Sequence, residues 1–268
     1  MNWKTFFDRL GMNGTRWQWR MMKWERQLKT IFRAPVHGGG ISLIQPIIGL
    51  NLLVFAAMIV WGLLAGFGLS PLLAPGTNLL IHTGAQFWPL VIQQGEWWRC
   101  LTYAFNHGGL IHLAFNMVAL YQVGPLVEQE IGRSRFLILY LLTALTATVA
   151  GYFWHPLTPV VGASGSLFGL IGFAAAWFHR LGGFQALELR NFMLKWAAFA
   201  FIFGILVGAD NAAHLGGAAG GAVLGFVLPL DGWARRRFET AFNLLAGAGA
   251  AVLGLSFVLL VLSWFRQG

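Results

Sequence analysis

Charge is scarce in this chain. Asp, Glu, Lys and Arg make up 10% of its 268 residues, where a soluble domain carries about a quarter. The shortfall is uneven. Long uncharged runs alternate with short charged clusters, which excludes an ordinary soluble domain and describes a chain that crosses a membrane several times. Cysteine is almost missing too. The single Cys100 excludes an intramolecular disulfide framework and any multi-cysteine metal site, and reads as a small packing residue. A cleavable signal peptide is not expected: the first 40 residues are basic and rich in Trp and Met, without a compact apolar core before a small-residue cleavage site.

Apolar residues and tryptophan are plentiful instead. The chain is 57% hydrophobic and holds 13 Trp, a residue that favours the membrane–water interface. Seven hydrophobic spans, at 46–68, 109–127, 136–154, 163–179, 192–208, 212–230 and 241–264, each approach the roughly 20 residues that a bilayer requires. The expected fold is therefore all-α, a polytopic membrane helix bundle. Pro71, Pro75, Gly76 and Gly95 break the region 69–108, which reads as a long loop with amphipathic pieces, among them Phe87-Trp88 and Trp97-Trp98-Arg99.

The basic residues set an orientation. With the N-terminus in the cytoplasm, sixteen of the eighteen Lys and Arg fall on the cytoplasmic side, and only Arg99 and Arg266 fall outside. This split accounts for a net charge of +9 without nucleic acid. Residues 1–36 interleave eight of those basic residues with Trp3, Trp17, Trp19 and Trp24. They read either as short basic helices lying on a membrane surface or as a solvated tail. Pro35 to Gly40 reads as a flexible link.

Two polar residues stand at the outer ends of spans. Ser164 opens the fourth span and His214 the sixth, so in this topology both share a leaflet. Ser and His are costly in lipid, which points to function, and together they suffice for nucleophilic acyl transfer. Glycine stripes give their helices a reason to touch: Gly165, Gly169 and Gly172 on the fourth span, Gly217, Gly221 and Gly225 on the sixth. His112 and Asn116 lie four apart on one face of the second span, also in its outer half. They serve either as interhelical glue or as donors to a developing oxyanion. The unpaired N–H groups where the fourth span starts favour an anion as well. Asp210 or Asn211 reads as the cap of the sixth span.

Together these residues resemble the rhomboid family of intramembrane serine proteases over roughly residues 46–230. The family's Gly-x-Ser-Gly is matched by Gly162-Ala163-Ser164-Gly165, and its Ala-His with downstream glycines by Ala213-His214, Gly217 and Gly221. Its His-x-x-x-Asn is matched by His112 and Asn116, its outer-loop Trp-Arg by Trp98-Arg99, and its Gly-x-x-x-Glu-x-x-x-Gly by Gly124, Glu128 and Gly132. The resemblance implies Ser164 as nucleophile and His214 as general base, a dyad without a carboxylate. His112, Asn116 and the Ser164 backbone N–H would form the oxyanion hole. Some members carry Tyr four residues after the nucleophile, where this chain has Phe168, so roles that need that hydroxyl are not transferred.

The resemblance also implies transmembrane protein substrates within a lipid bilayer, with no metal, cofactor or nucleotide. It gives a division into a cytoplasmic basic segment and linker (1–45), a six-helix core (46–230), and a cytoplasmic basic loop with a seventh, C-terminal transmembrane helix (231–268), the 6+1 arrangement of part of the family. Gly247, Gly249 and Gly254 point to packing of that seventh helix against others. The loop 69–108 and the fifth span are candidate gates. Asp8 and Glu25 in the basic N-terminus argue against a mitochondrial presequence and for a bacterial plasma membrane. Two rival readings are a catalytically inactive rhomboid-like binder of membrane clients and, with less support, a small-molecule transporter. The second would call for an inverted repeat, and none is evident between the halves.

Overall fold

The computed structural model describes residues 13–16, 19, 42–207 and 210–265. The described chain is helical, and its only strand-like pairing is one isolated antiparallel bridge between Gln86 and Val160. The long helices are α1 (Ile44–Leu64), α5 (Leu110–Ile131), α6 (Arg133–Trp154), α7 (Ser164–Leu181), α8 (Gly183–Val207), α9 (Asn211–Val227) and α10 (Gly232–Trp264). Three short helices, α2 (Thr77–His82), α3 (Trp88–Gln93) and α4 (Arg99–Thr102), lie between α1 and α5. Helices α1, α5, α6 and α10 are long and apolar enough to cross a membrane. The expectation for residues 1–45 falls almost wholly outside the described residues.

Helix α7 sits in the middle, packed by α5, α6, α8 and α9, and most of its side chains are buried. Helix α9 wedges between α6 and α7 on two glycine faces. A Cβ on Gly217 or Gly221 would overlap the carbonyl oxygens of Gly165 and Gly169 on α7. On the other face, Gly216 and Gly220 meet Ala150 and Thr146 of α6. With no side chains between them the backbones close up, which is how helices associate in lipid. The stripes expected on α7 and α9 are thus in contact, and a second stripe, toward α6, accompanies them.

Tight joints hold the ends of α1, α5 and α6 that meet here. Gly132, at φ +80°, alone separates α5 from α6, a left-handed position that glycine adopts without penalty. Glu128 on α5 caps α1 from outside: its carboxylate accepts from the Leu43 N–H at 2.7 Å and from the Ser42 hydroxyl. This satisfies a donor that a helix start leaves open. Gly124 gives Ile44 room to approach. Gly124 and Glu128 therefore dock α1, and Gly132 turns the chain into α6.

Arg99 ties down the loop between α1 and α5. Almost fully buried, it donates to the carbonyls of Ile81 at 2.6 Å and Ala85 at 3.0 Å and pairs with Glu96. Such pairing is what a buried guanidinium needs. Burial also pushes the Cys100 thiol up to about 11, so it stays protonated and packs as a small residue.

Three expectations need correction. Residues 232–240 are not a loop: α10 is one continuous helix of 33 residues, with Arg235, Arg236 and Arg237 in its first turns. Likewise α8 begins at Gly183, well before the apolar stretch that starts at 192. Charge marks where a chain leaves the apolar layer, whereas Arg, Lys, Glu and Gln are good helix formers that carry a helix onward. The glycines of α10 are also not a packing stripe, since Gly247 and Gly254 have nothing within 4 Å and only Gly249 meets Leu141. Helix α10 does pack against α6 and α4, as expected, but through other residues. Ala246 and Ser256 are buried, Phe257 meets the Phe105 ring at 5.7 Å, the Ser134 hydroxyl donates to Asn243, and the Trp264 indole N–H donates to the His82 carbonyl at 2.7 Å.

Candidate active site

The start of α7 is set by main-chain bonds. The segment before it is tied to the loop between α1 and α5 by the Gln86–Val160 bridge and by the Gly162 N–H, which donates to the Tyr103 carbonyl at 2.9 Å. Gly162 turns the chain at φ +118°. A Cβ there would stand 2.8 Å from His112 Nε2 and 3.7 Å from Ser164 Oγ, so only glycine fits between them. Ala163, at the cap position, offers no side-chain acceptor, which leaves the first N–H groups of α7 open.

The start of α9 is built differently. Asp210 caps it, with Oδ1 accepting from the Ala213 N–H at 2.9 Å. The same oxygen pairs with His155 Nε2 at 2.9 Å, so this carboxylate is turned away from His214. His214 follows one turn later and is buried.

Across the glycine interface, His214 Nε2 lies 2.9 Å from Ser164 Oγ. The other ring nitrogen, Nδ1, lies 3.0 Å from Asn211 Oδ1. Phe168, one turn below Ser164, stacks on the imidazole with centroids 4.3 Å apart and planes 15° apart. The ring is thus held at both nitrogens and on one face.

His112 and Asn116 reach the same cavity from α5. The Gly108 N–H donates to His112 Nδ1 at 3.3 Å, which leaves the ring proton on Nε2, the atom that faces Gly162. The Asn116 amide donates to the His112 carbonyl at 2.8 Å, which uses one of its two N–H bonds. Behind them His107 is fully buried and meets His112 edge-on at 5.2 Å. Burial, with His112 beside it, pushes His107 down to about 3 and keeps it neutral.

The cavity measures about 610 Å³ and is lined by Ser164, His214, His112 and Asn116 together with Trp196, Phe199 and Phe203 of α8. Among the described residues no group of three or more His, Cys, Asp or Glu side chains could hold a metal ion. Sequence reasoning missed two contacts here, Asp210 with His155 and Asn211 with His214. The second was visible as an i, i+3 spacing, but Asn211 was read only as a cap.

Fold and site define a polytopic helical membrane protein with a serine–histidine pair facing an internal cavity. The chain belongs to the rhomboid family: the rhomboid domain matches residues 94–230. It is similar to the rhomboid protease GluP of Bacillus subtilis, with 36% identity over 181 residues, 63% of this chain and 34% of that protein. RHOMBOID-like protein 2 of Arabidopsis thaliana is 34% identical over 180 residues, 64% of this chain and 56% of that protein. The chain thus spans between a third and three-fifths of the length of these relatives. A third relative, Inactive RHOMBOID-like protein 8 of Arabidopsis thaliana, is 30% identical over 150 residues, 55% of this chain and 43% of that protein.

Proposed function

We propose that this protein is an intramembrane serine endopeptidase that cleaves membrane-anchored proteins near the outer end of their transmembrane helix. The observation that carries this reading is the 2.9 Å contact between Ser164 Oγ and His214 Nε2 inside a cavity that also holds His112 and Asn116. The topology goes with it: seven spans with a six-helix core at 46–230, the N-terminus cytoplasmic, and the cavity open to the outer face of a bacterial plasma membrane.

The chemistry is acyl transfer. His214 Nε2 takes the hydroxyl proton as Ser164 Oγ attacks the carbonyl carbon of the substrate. Negative charge develops on the carbonyl oxygen, and the His112 Nε2–H, the second Asn116 amide N–H and the Ser164 backbone N–H receive it. His214 returns the proton to the leaving amine, the C–N bond breaks, and an acyl-enzyme remains. Water entering the cavity gives a proton to His214 and attacks the ester carbonyl; the C–Oγ bond breaks, His214 returns the proton to Ser164 Oγ, and the new carboxyl end is released. A substrate helix has to unwind to present its carbonyl, which favours helix-weakening residues near the cut.

The test is cleavage of a model membrane substrate by purified protein, with fluorophosphonate labelling in parallel. Ser164→Ala and His214→Ala each abolish cleavage while the melting temperature stays near that of the wild type. Cleavage by either variant sinks the assignment. Labelling that requires Ser164 separates an enzyme from an inactive client-binding relative, the alternative kept open by the likeness to Inactive RHOMBOID-like protein 8.

A further inference from the structure

We infer that Asn211 is a positioning residue for His214, fixing the tautomer and the ring angle on which proton transfer depends. The inference rests on the proposed Ser164–His214 chemistry and adds a third member to it.

A neutral imidazole has one N–H and one lone pair. To act as base toward Ser164, His214 has to keep its lone pair on Nε2 and its proton on Nδ1. Left alone, nothing in the ring chooses that tautomer. Asn211 Oδ1 stands 3.0 Å from Nδ1, and an amide oxygen only accepts. The contact therefore requires the proton on Nδ1, and the lone pair falls on Nε2, 2.9 Å from the serine hydroxyl. The same bond strengthens when the ring becomes an imidazolium, because its donor is then charged.

The chain is arranged to hold Asn211 there. It is the first residue of α9, three before His214, and so lies on the same face one turn away. Asp210 does the capping with its own carboxylate, which frees the Asn211 side chain from that task. Asp210 Oδ1 also holds both of that residue's contacts, to His155 Nε2 and the Ala213 N–H, and neither oxygen bonds His214. The one side-chain oxygen bonded to Nδ1 is thus an amide and carries no charge. An amide in this position orients the ring without burying an unpaired charge next to the serine, an economy that matters at the edge of a membrane.

The experiment compares Asn211→Leu, Asn211→Ala and Asn211→Asp with the wild type and Ser164→Ala in one cleavage assay. Leu and Ala remove the acceptor, and kcat falls about ten- to a hundredfold with KM within twofold, since the interaction matters at the proton-transfer step. Asp keeps the acceptor. It retains most of kcat, and its added charge moves the acidic limb of the pH–kcat/KM profile upward, a change that a merely structural role does not produce. Melting temperatures separate loss of fold from loss of orientation, and if Leu fails to fold the Ala and Asp pair decides. Wild-type kcat in Asn211→Ala, or equal losses in Ala and Asp with unmoved pH profiles, overturns the inference. Cleavage by Ser164→Ala overturns the parent reading instead.

Discussion

The two walls of the cavity are built on opposite principles. On the α7–α9 side, Gly165, Gly169, Gly217 and Gly221 bring main chain against main chain, with no side chain able to rotate out of the way. On the α5–α8 side the contact is made by aromatic side chains. Phe115 and Phe203 meet at 4.3 Å, Phe199 stands beside Phe203 at the cavity, and α8 leaves Ile202 exposed. Backbone contact has one geometry, whereas ring contact can be broken and re-formed by changing rotamers. The proposed nucleophile and base sit on the first wall. Their separation is set by helix approach on that wall, whereas the Phe115–Phe203 ring contact belongs to the other.

The largest expected effect comes from breaking the rigid wall. Gly221→Leu drives a side chain into the Gly169 carbonyl. It should abolish cleavage and destabilise the fold by about 3 kcal/mol or more, read as a lost or lowered thermal transition. Gly254→Leu is the matched control, because nothing lies within 4 Å of Gly254, and it should leave both readouts unchanged. Equal behaviour of the two variants would remove the distinction between a packed and an unpacked glycine helix.

Asn116→Ala comes next and tests the floor between the walls. It removes one of the proposed oxyanion donors and leaves the glycine interface intact. Turnover should fall about a hundredfold, with KM and melting temperature nearly unchanged. An unchanged kcat would return Asn116 to its other role, an interhelical polar contact.

How much of this was legible in the sequence depends on what kind of partner each residue has. Ser164 and His214 announce themselves because polar residues are rare in membrane helices, and the glycine stripes because spacing alone puts them on one face. The second glycine face, Gly216 and Gly220, went unnoticed because its partners, Thr146 and Ala150, are ordinary small residues of α6. The work of Arg99 was unreadable for a related reason: two of its three partners are main-chain carbonyls, which any residue could supply. Asn211 was misread by proximity, since two capping residue types stand side by side and only the structure divides their tasks. Helix ends were poorly placed because charge reports the edge of the apolar layer and not the end of hydrogen bonding. Gly132 ends one helix and admits the next within a single residue.

The smallest effect is expected at the adaptable wall, and it is the sharpest check on the comparison. Phe203→Ala removes the ring that meets Phe115 and lines the cavity beside Phe199. In water such a loss would expose apolar surface and destabilise the fold. In a bilayer, lipid chains replace the lost contact, since there is no hydrophobic drive between helices there. Stability should therefore change by only about 0.5 kcal/mol. The Ser164–His214 contact lies on the other wall and is untouched, so the chemical step keeps its geometry. Access improves, and cleavage should rise, by no more than about threefold, which is about 0.6 kcal/mol of barrier. A steady-state assay on a membrane-anchored substrate, set beside fluorophosphonate labelling of Ser164, reads the two walls separately. Faster cleavage with unchanged labelling is the expected pattern. Loss of both would mean that the aromatic wall also sets the serine–histidine distance, and the division between a rigid and an adaptable side would fall.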